Sequence, residues 1–132
     1  LREGSGGAGA HRGGLGAVYE IEVLEENGAE AFFFGERGKF PPKGVAGGGD
    51  AAVNRFDYEQ DVGWRQPPMT SKMRGIVLKQ GQKVCLQSPG GGGYGPASER
   101  PAAEIAGDVA LGYLSETEAD AAYGTAWKEV AK

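Results

Sequence analysis

Residues 17–37 read AVYEIEVLEENGAEAFFFGER, and the reading of this stretch decides the fold. Tyr19, Ile21 and Val23 alternate with Glu20, Glu22 and Leu24, the two-residue period of a half-exposed strand. Asn27-Gly28 follows. That pair is the strongest short hairpin signal, because both residues tolerate positive φ. Residues 29–37 then read as the returning strand, so the pattern predicts a β-hairpin.

Working outward, Phe40-Pro41-Pro42 stops any ladder, since proline has no N–H to donate. Residues 51–72 are polar and poorly periodic, with room for a strand around Tyr58 to Trp64. A second hairpin is predicted from Arg74 to Lys79, a turn at Gln80-Gly81, and Lys83 to Gln87. The chain then turns helical. Pro101 suits a first helical turn, and Ile105, Val109 and Leu111 with Ala102 and Ala106 make an apolar stripe over residues 101–112. Ser115 and Glu118 spell a capping box opening a second short helix, with Tyr123-Gly124 as its stop. The tail to Lys132 is expected to be loosely held. The expected fold class is α+β: a β-hairpin-rich sheet with Gly-rich loops, followed by two short C-terminal helices, in a single domain over residues 1–132.

Composition sets the limits. The 132 residues suit one domain, and 39% hydrophobic content favours a folded chain. A net charge of −4 argues against a nucleic-acid or anionic-membrane binder. No apolar run approaches the roughly 18–20 residues of a membrane span. Cys85 is the one cysteine, so no internal disulfide forms, which fits a cytoplasmic setting. The start, Leu1-Arg2-Glu3-Gly4, lacks both an initiator Met and a signal peptide's apolar core, so a fragment or a processed chain is expected.

Twenty-five glycines cluster rather than repeat every third position, which excludes collagen. They gather in GSGGAGAHRGGLG (4–16), GVAGGGD (44–50) and SPGGGGYG (88–95). Two of these spell G-x-G-x-x-G. The first precedes a strand instead of following one. The second is followed too late by its helix, with no further strand, so neither makes a dinucleotide fingerprint. The simplest reading is a corner where another backbone passes too close for a Cβ. A nest of N–H groups holding an anion is the alternative.

Few side chains point to chemistry. His11 is the one histidine, beside Arg12 and between glycines. It is a candidate acid or base, weighed against a surface or interface role. A thiol on a strand, as predicted for Cys85, is usually inert packing. Asp57, Glu59 and Asp61 alternate on one strand face and offer either a cation site or, more simply, a solvated acidic face. Trp64 and Trp127 read as core or interface anchors. No metal-ligand pattern is present.

Taken in series, GSGGAGAHRGGLG (4–16), KFPPKGVAGGG (39–49), LKQGQKVCLQSPGGGGYG (78–95) and GDVALGYLSETEADAAYG (107–124) resemble the C-terminal part of the hydantoinase B family. That subunit type is shared by ATP-dependent N-methylhydantoinases, 5-oxoprolinases, and the acetone and acetophenone carboxylases. Ala10, Pro96-Ala97 and Pro101-Ala102 depart from residues frequent in the family.

The resemblance implies one part of an ATP-dependent, multi-subunit hydrolase or carboxylase. A hydantoinase A-type subunit would bind and split ATP, and the remainder of the B-type subunit would hold any divalent metal. It leaves no cofactor and no metal ligand in this chain. Gly13, Gly14, Gly47, Gly48, Gly91, Gly92 and Tyr94 would lie in binding or interface loops, and His11 and Arg12 are the side chains to test. Arg12 would hold an anionic intermediate or an interface carboxylate. Two other readings remain: a separate small structural subunit, and an isolated anion-binding module.

Overall fold

Residues 18–34 do not fold back on themselves. In the computed structural model, which describes residues 1–131, they form two strands in two different sheets. Strand β1 (Val18–Glu22) pairs antiparallel with β6 (Lys83–Gln87), and β2 (Ala29–Phe34) pairs antiparallel with β5 (Lys72–Leu78). Backbone bonds continue across the gap: Val23 N–H donates to Gln82 O at 3.0 Å, and Gly81 N–H to Val23 O at 2.8 Å. Residues 18–34 and 72–87 thus run alongside each other as one bent antiparallel ribbon.

Both predicted hairpins are corrected by this pairing, and turn geometry explains why. Gly28 N–H donates to Glu25 O, so the first turn spans Glu25–Gly28, one residue earlier than the sequence suggests. Among its residues only Gly28 has positive φ, at 76°. The second turn closes from Gln82 N–H to Lys79 O, with positive φ at Gly81 alone of its two central residues. Neither is a primed turn. Unprimed turns splay the strands they join, so each delivers its second strand to a different sheet. The two turns face each other at the ribbon's corner.

Among the described residues, the one adjacent hairpin joins β3 (Arg55–Gln60) and β4 (Gly63–Arg65), where the sequence offered only a weak strand signal. β3 also pairs with β6, giving the order β1-β6-β3-β4 beside the two-stranded β2-β5 sheet. Phe56, Tyr58 and Val84 from the first sheet meet Ile76 and Leu78 from the second. Phe33 of β2 stacks on Phe56 at 4.2 Å between ring centroids. Each such side chain stabilises the fold by about 1.5–3 kcal/mol when fully buried, and the stacked pair adds about 0.5–1.5 kcal/mol.

The helical end follows the sequence closely. Helix α1 (Ala102–Ala110) starts after Pro101, and α2 (Glu116–Tyr123) opens on the predicted capping box and stops at Gly124, φ 76°. Ile105 faces a second core with Leu114, Ala119 and Trp127. Leu111 departs from the predicted stripe and is exposed. At about 100° per residue it lies far round the helix from Ile105. The tail is another correction. A 3-10 turn at Ala126–Glu129 buries Trp127, whose indole N–H donates to Asp120 Oδ1, and Lys128 pairs with Asp120. Lys132 lies outside the described residues. No helix among those described is long and apolar enough to cross a membrane.

Candidate functional site

Three glycine-rich segments, far apart in sequence, run side by side with their backbones in contact. Gly7 N–H donates to Gly91 O at 2.9 Å, and Gly91 N–H to Gly14 O at 2.8 Å. Gly93 N–H donates to Gly49 O at 2.9 Å, and Gly49 N–H to Ala8 O at 2.7 Å. A Cβ on Gly13 would fall on Gly91 O, one on Gly48 on Gly93 O, and one on Gly92 on Lys43 O. Gly91 itself packs against Gly14, while Gly14 has open space and Gly47 turns the chain beside Pro96 with φ 91°. The run at 90–95 is therefore a close-packed corner. The N–H groups of Gly91, Gly93, Tyr94 and Gly95 all donate to protein carbonyls. An anion nest needs such groups unspent, so these four amides are not open to an anion.

His11 and Tyr94 meet at the rim of this bundle. Each donates its N–H to the other's carbonyl, at 3.0 and 2.9 Å, and their exposed rings lie 6.2 Å apart. Arg12 takes a different direction. Its guanidinium forms a bidentate pair with Asp108 of α1, at 2.9 and 3.2 Å, donates to Gly13 O and lies over the Tyr113 ring. Arg100 reaches the same carboxylate at 2.8 Å and the Ala10 carbonyl at 3.3 Å. All three side chains are nearly buried. One carboxylate between two guanidiniums fixes the first glycine segment against α1. The carboxylate that Arg12 holds within this chain is thus Asp108's.

Sequence reasoning missed Asp108 and Arg100. The available signal was Asp108's place three residues after Ile105, on the helix face turned inward. A charge there implies a buried partner.

The other candidates are engaged elsewhere. Asp57 is buried against Arg55 at 2.7 Å, Glu59 accepts from the Lys83 N–H, and Asp61 pairs with Lys79. They hold protein donors rather than share a cation. Cys85 sits opposite Glu20 on one neighbouring strand and Asp57 on the other. Burial, then the charges of Glu20 and Asp57, push its thiol pKa up, which keeps it protonated. Trp127 anchors the helical core, whereas Trp64 is half-exposed. An open cleft of about 970 Å³ between residues 36–40 and 68–72 shares no residue with the glycine bundle. Among the described residues no three His, Cys, Asp or Glu side chains gather as a metal site would require.

Comparison with known proteins places this geometry. The family described as Hydantoinase B/oxoprolinase matches residues 1–97. Caprolactamase subunit beta of Pseudomonas jessenii is 32% identical over 128 residues, covering 94% of this chain and 22% of that protein. A 5-oxoprolinase of Pestalotiopsis fici is 33% identical over 100 residues, covering 72% of this chain and 8% of that one. The fold matches a nucleotide-free structure of acetone carboxylase with a TM-score of 0.78 and 23% identity, over 94% of this chain and 20% of that one. The chain therefore spans about a fifth or less of the length of these proteins. The matched region contains all three glycine segments, and on that match the chain belongs to the hydantoinase B/oxoprolinase family.

Proposed function

We propose that residues 1–132 work as the C-terminal part of a B-type subunit in an ATP-dependent enzyme that opens a cyclic amide or carboxylates a ketone. In this reading the glycine bundle is a rigid wall that brings distant loops together, contributing to subunit assembly and to one side of the substrate cavity. The observation that carries the reading is the family match over residues 1–97, which contains the whole bundle. A hydantoinase A-type subunit supplies ATP binding, and the remainder of the B-type subunit completes the site in the cytoplasm. The residues described here do not fit a metal or a nucleotide. They lack a ligand cluster, and the amides of Gly7, Gly49, Gly91, Gly93, Tyr94 and Gly95 donate within the chain. In this reading ATP and any divalent metal are held by other parts of the enzyme.

His11 and Tyr94 are exposed polar side chains of the bundle without a side-chain ion pair, unlike Asp50 with its Lys43, and we assign them to the cavity or to a subunit contact. Arg12 acts behind them as a positioning residue through Asp108. The test is the native mass of the species purified gently from its source, followed by ATP-dependent assays on cyclic amides and ketones. A large assembly with ATP-dependent turnover is expected. A mass of one or two copies of this chain would mean a separate small structural protein. His11→Ala with unchanged turnover and unchanged assembly removes His11 from both roles.

A further inference from the structure

β1 and β2 together leave one long side of the bent ribbon open. β1 pairs only with β6 and β2 only with β5 among the described residues. All five residues of β1 are exposed, including Tyr19 at 50% and Ile21 at 52%, and on β2 Phe32 and Phe34 are exposed by 59% and 74%. Beside this edge lies an apolar groove of about 270 Å³ lined by Ile21, Val23, Phe32, Phe33 and Leu86. A long apolar edge is a template for further strand pairing, and working proteins cover or blunt such edges. Charge along it is one-sided: residues 17–34 hold Glu20, Glu22, Glu25, Glu26 and Glu30, with no Lys or Arg, and among the described residues only Glu22 of these has a cation nearby, Lys83 of β6 at 3.8 Å.

We propose that this edge receives an extended strand from the remainder of the B-type polypeptide. Its apolar side chains fill the groove, and its alternate lysines face Glu20, Glu22 and Glu30. The inference rests on the B-type reading above. A covalently linked occupant is favoured because the matched caprolactamase subunit has most of its length outside the region this chain covers. The ladder specifies which amides would pair. Ser88 N–H donates to Ala17 O, and Val23 N–H to Gln82 O. Antiparallel alternation then turns Tyr19 and Ile21 toward β6, and Val18, Glu20 and Glu22 outward.

The test uses the full polypeptide in its native assembly, with hydrogen exchange resolved to single amides and carbodiimide cross-linking. The outward amides of Val18, Glu20 and Glu22 should exchange at least ~100-fold more slowly than in an unstructured chain. Cross-links from Glu20, Glu22 or Glu30 should map to lysines elsewhere in the same polypeptide. Rapid exchange of these three amides, with Tyr19 and Ile21 protected, overturns the inference and leaves the B-type reading standing. Slow exchange with cross-links only to a second copy or to another subunit overturns the assigned occupant. An intact mass no greater than that of these 132 residues overturns the B-type reading and this inference together.

Discussion

Arg12 Nε lies 2.9 Å from Asp108 Oδ2, a contact that joins the first glycine segment to α1 across 96 positions of sequence. The pair is nearly buried, and Arg100 approaches the same oxygen at 2.8 Å. Arg100 also meets the exposed Glu104 at 3.3 Å, and its Nε has no partner, so Asp108 is the buried carboxylate that both desolvated guanidiniums share. Asp108→Ala leaves both guanidiniums without that carboxylate and should cost about 3–5 kcal/mol. Urea unfolding measures it. Arg12→Lys should restore little relative to Arg12→Ala, because an ammonium cannot reproduce the two-pronged contact. A loss below about 1 kcal/mol for Asp108→Ala would class the cluster with weak surface pairs.

Glycine content alone does not say which glycines are needed. Gly93 packs where a Cβ would strike the carbonyl of Ala8, whereas Gly107, inside α1, has open space around it. Gly93→Ala should therefore destabilise by ~3 kcal/mol or more through overpacking of backbone on backbone. Gly107→Ala should stabilise by about 0.5–1 kcal/mol, the usual gain from replacing a glycine in a helix. Thermal unfolding of the two variants gives shifts of opposite sign if close packing, rather than flexibility, explains the bundle.

The bundle was legible in part. Its glycines announced close approach, but which segments approach one another depends on contacts between residues such as Gly7 and Gly91, and no local pattern encodes these. The strands were legible for a similar reason and to a similar depth. Alternation at Tyr19 and Ile21 fixes the strand and its faces, while the partner is left to tertiary packing. Asn27-Gly28 suggested a primed turn, yet only Gly28 adopts positive φ, and the chain splays into a second sheet. The helices were clearest because their signals are local: Pro101, the Ser115–Glu118 box and Gly124 each act within one turn. Arg12 was visible as a candidate. Asp108 showed only an inward place on its helix, because its partner Arg12 lies in a loop distant in sequence.

The corner of the ribbon separates two glycines with the same backbone sign. Gly28 and Gly81 have φ of 76° and 81°. A Cβ on Gly28 would also press on the Leu78 carbonyl, while Gly81 has free space. Gly81→Ala should cost only the left-handed penalty of about 1–2 kcal/mol. Gly28→Ala should cost at least ~1 kcal/mol more, because strain and overlap combine. Equilibrium unfolding of the two variants tests this difference, and equal losses would mean that the Gly28–Leu78 approach relaxes freely.

Cys85 supplies a prediction in pH. Burial and the carboxylates of Glu20 and Asp57 raise its thiol pKa, with Gln87 and Arg55 only partly opposing them. At pH 8 its alkylation by iodoacetamide should be ~10-fold or more slower than that of a free cysteine, because the thiolate is the reactive form. Glu20→Gln should speed it by removing one of the charges that disfavour the thiolate. The sign for stability follows from linkage. The folded chain holds this proton more tightly than the unfolded chain, so the contribution is complete below the thiol's ordinary pKa. It declines as pH rises from there through the folded value. Unfolding measured from neutral to alkaline pH should show that decline, and Cys85→Ala should remove its share of the slope. An unchanged slope in Cys85→Ala would mean that other groups govern alkaline stability.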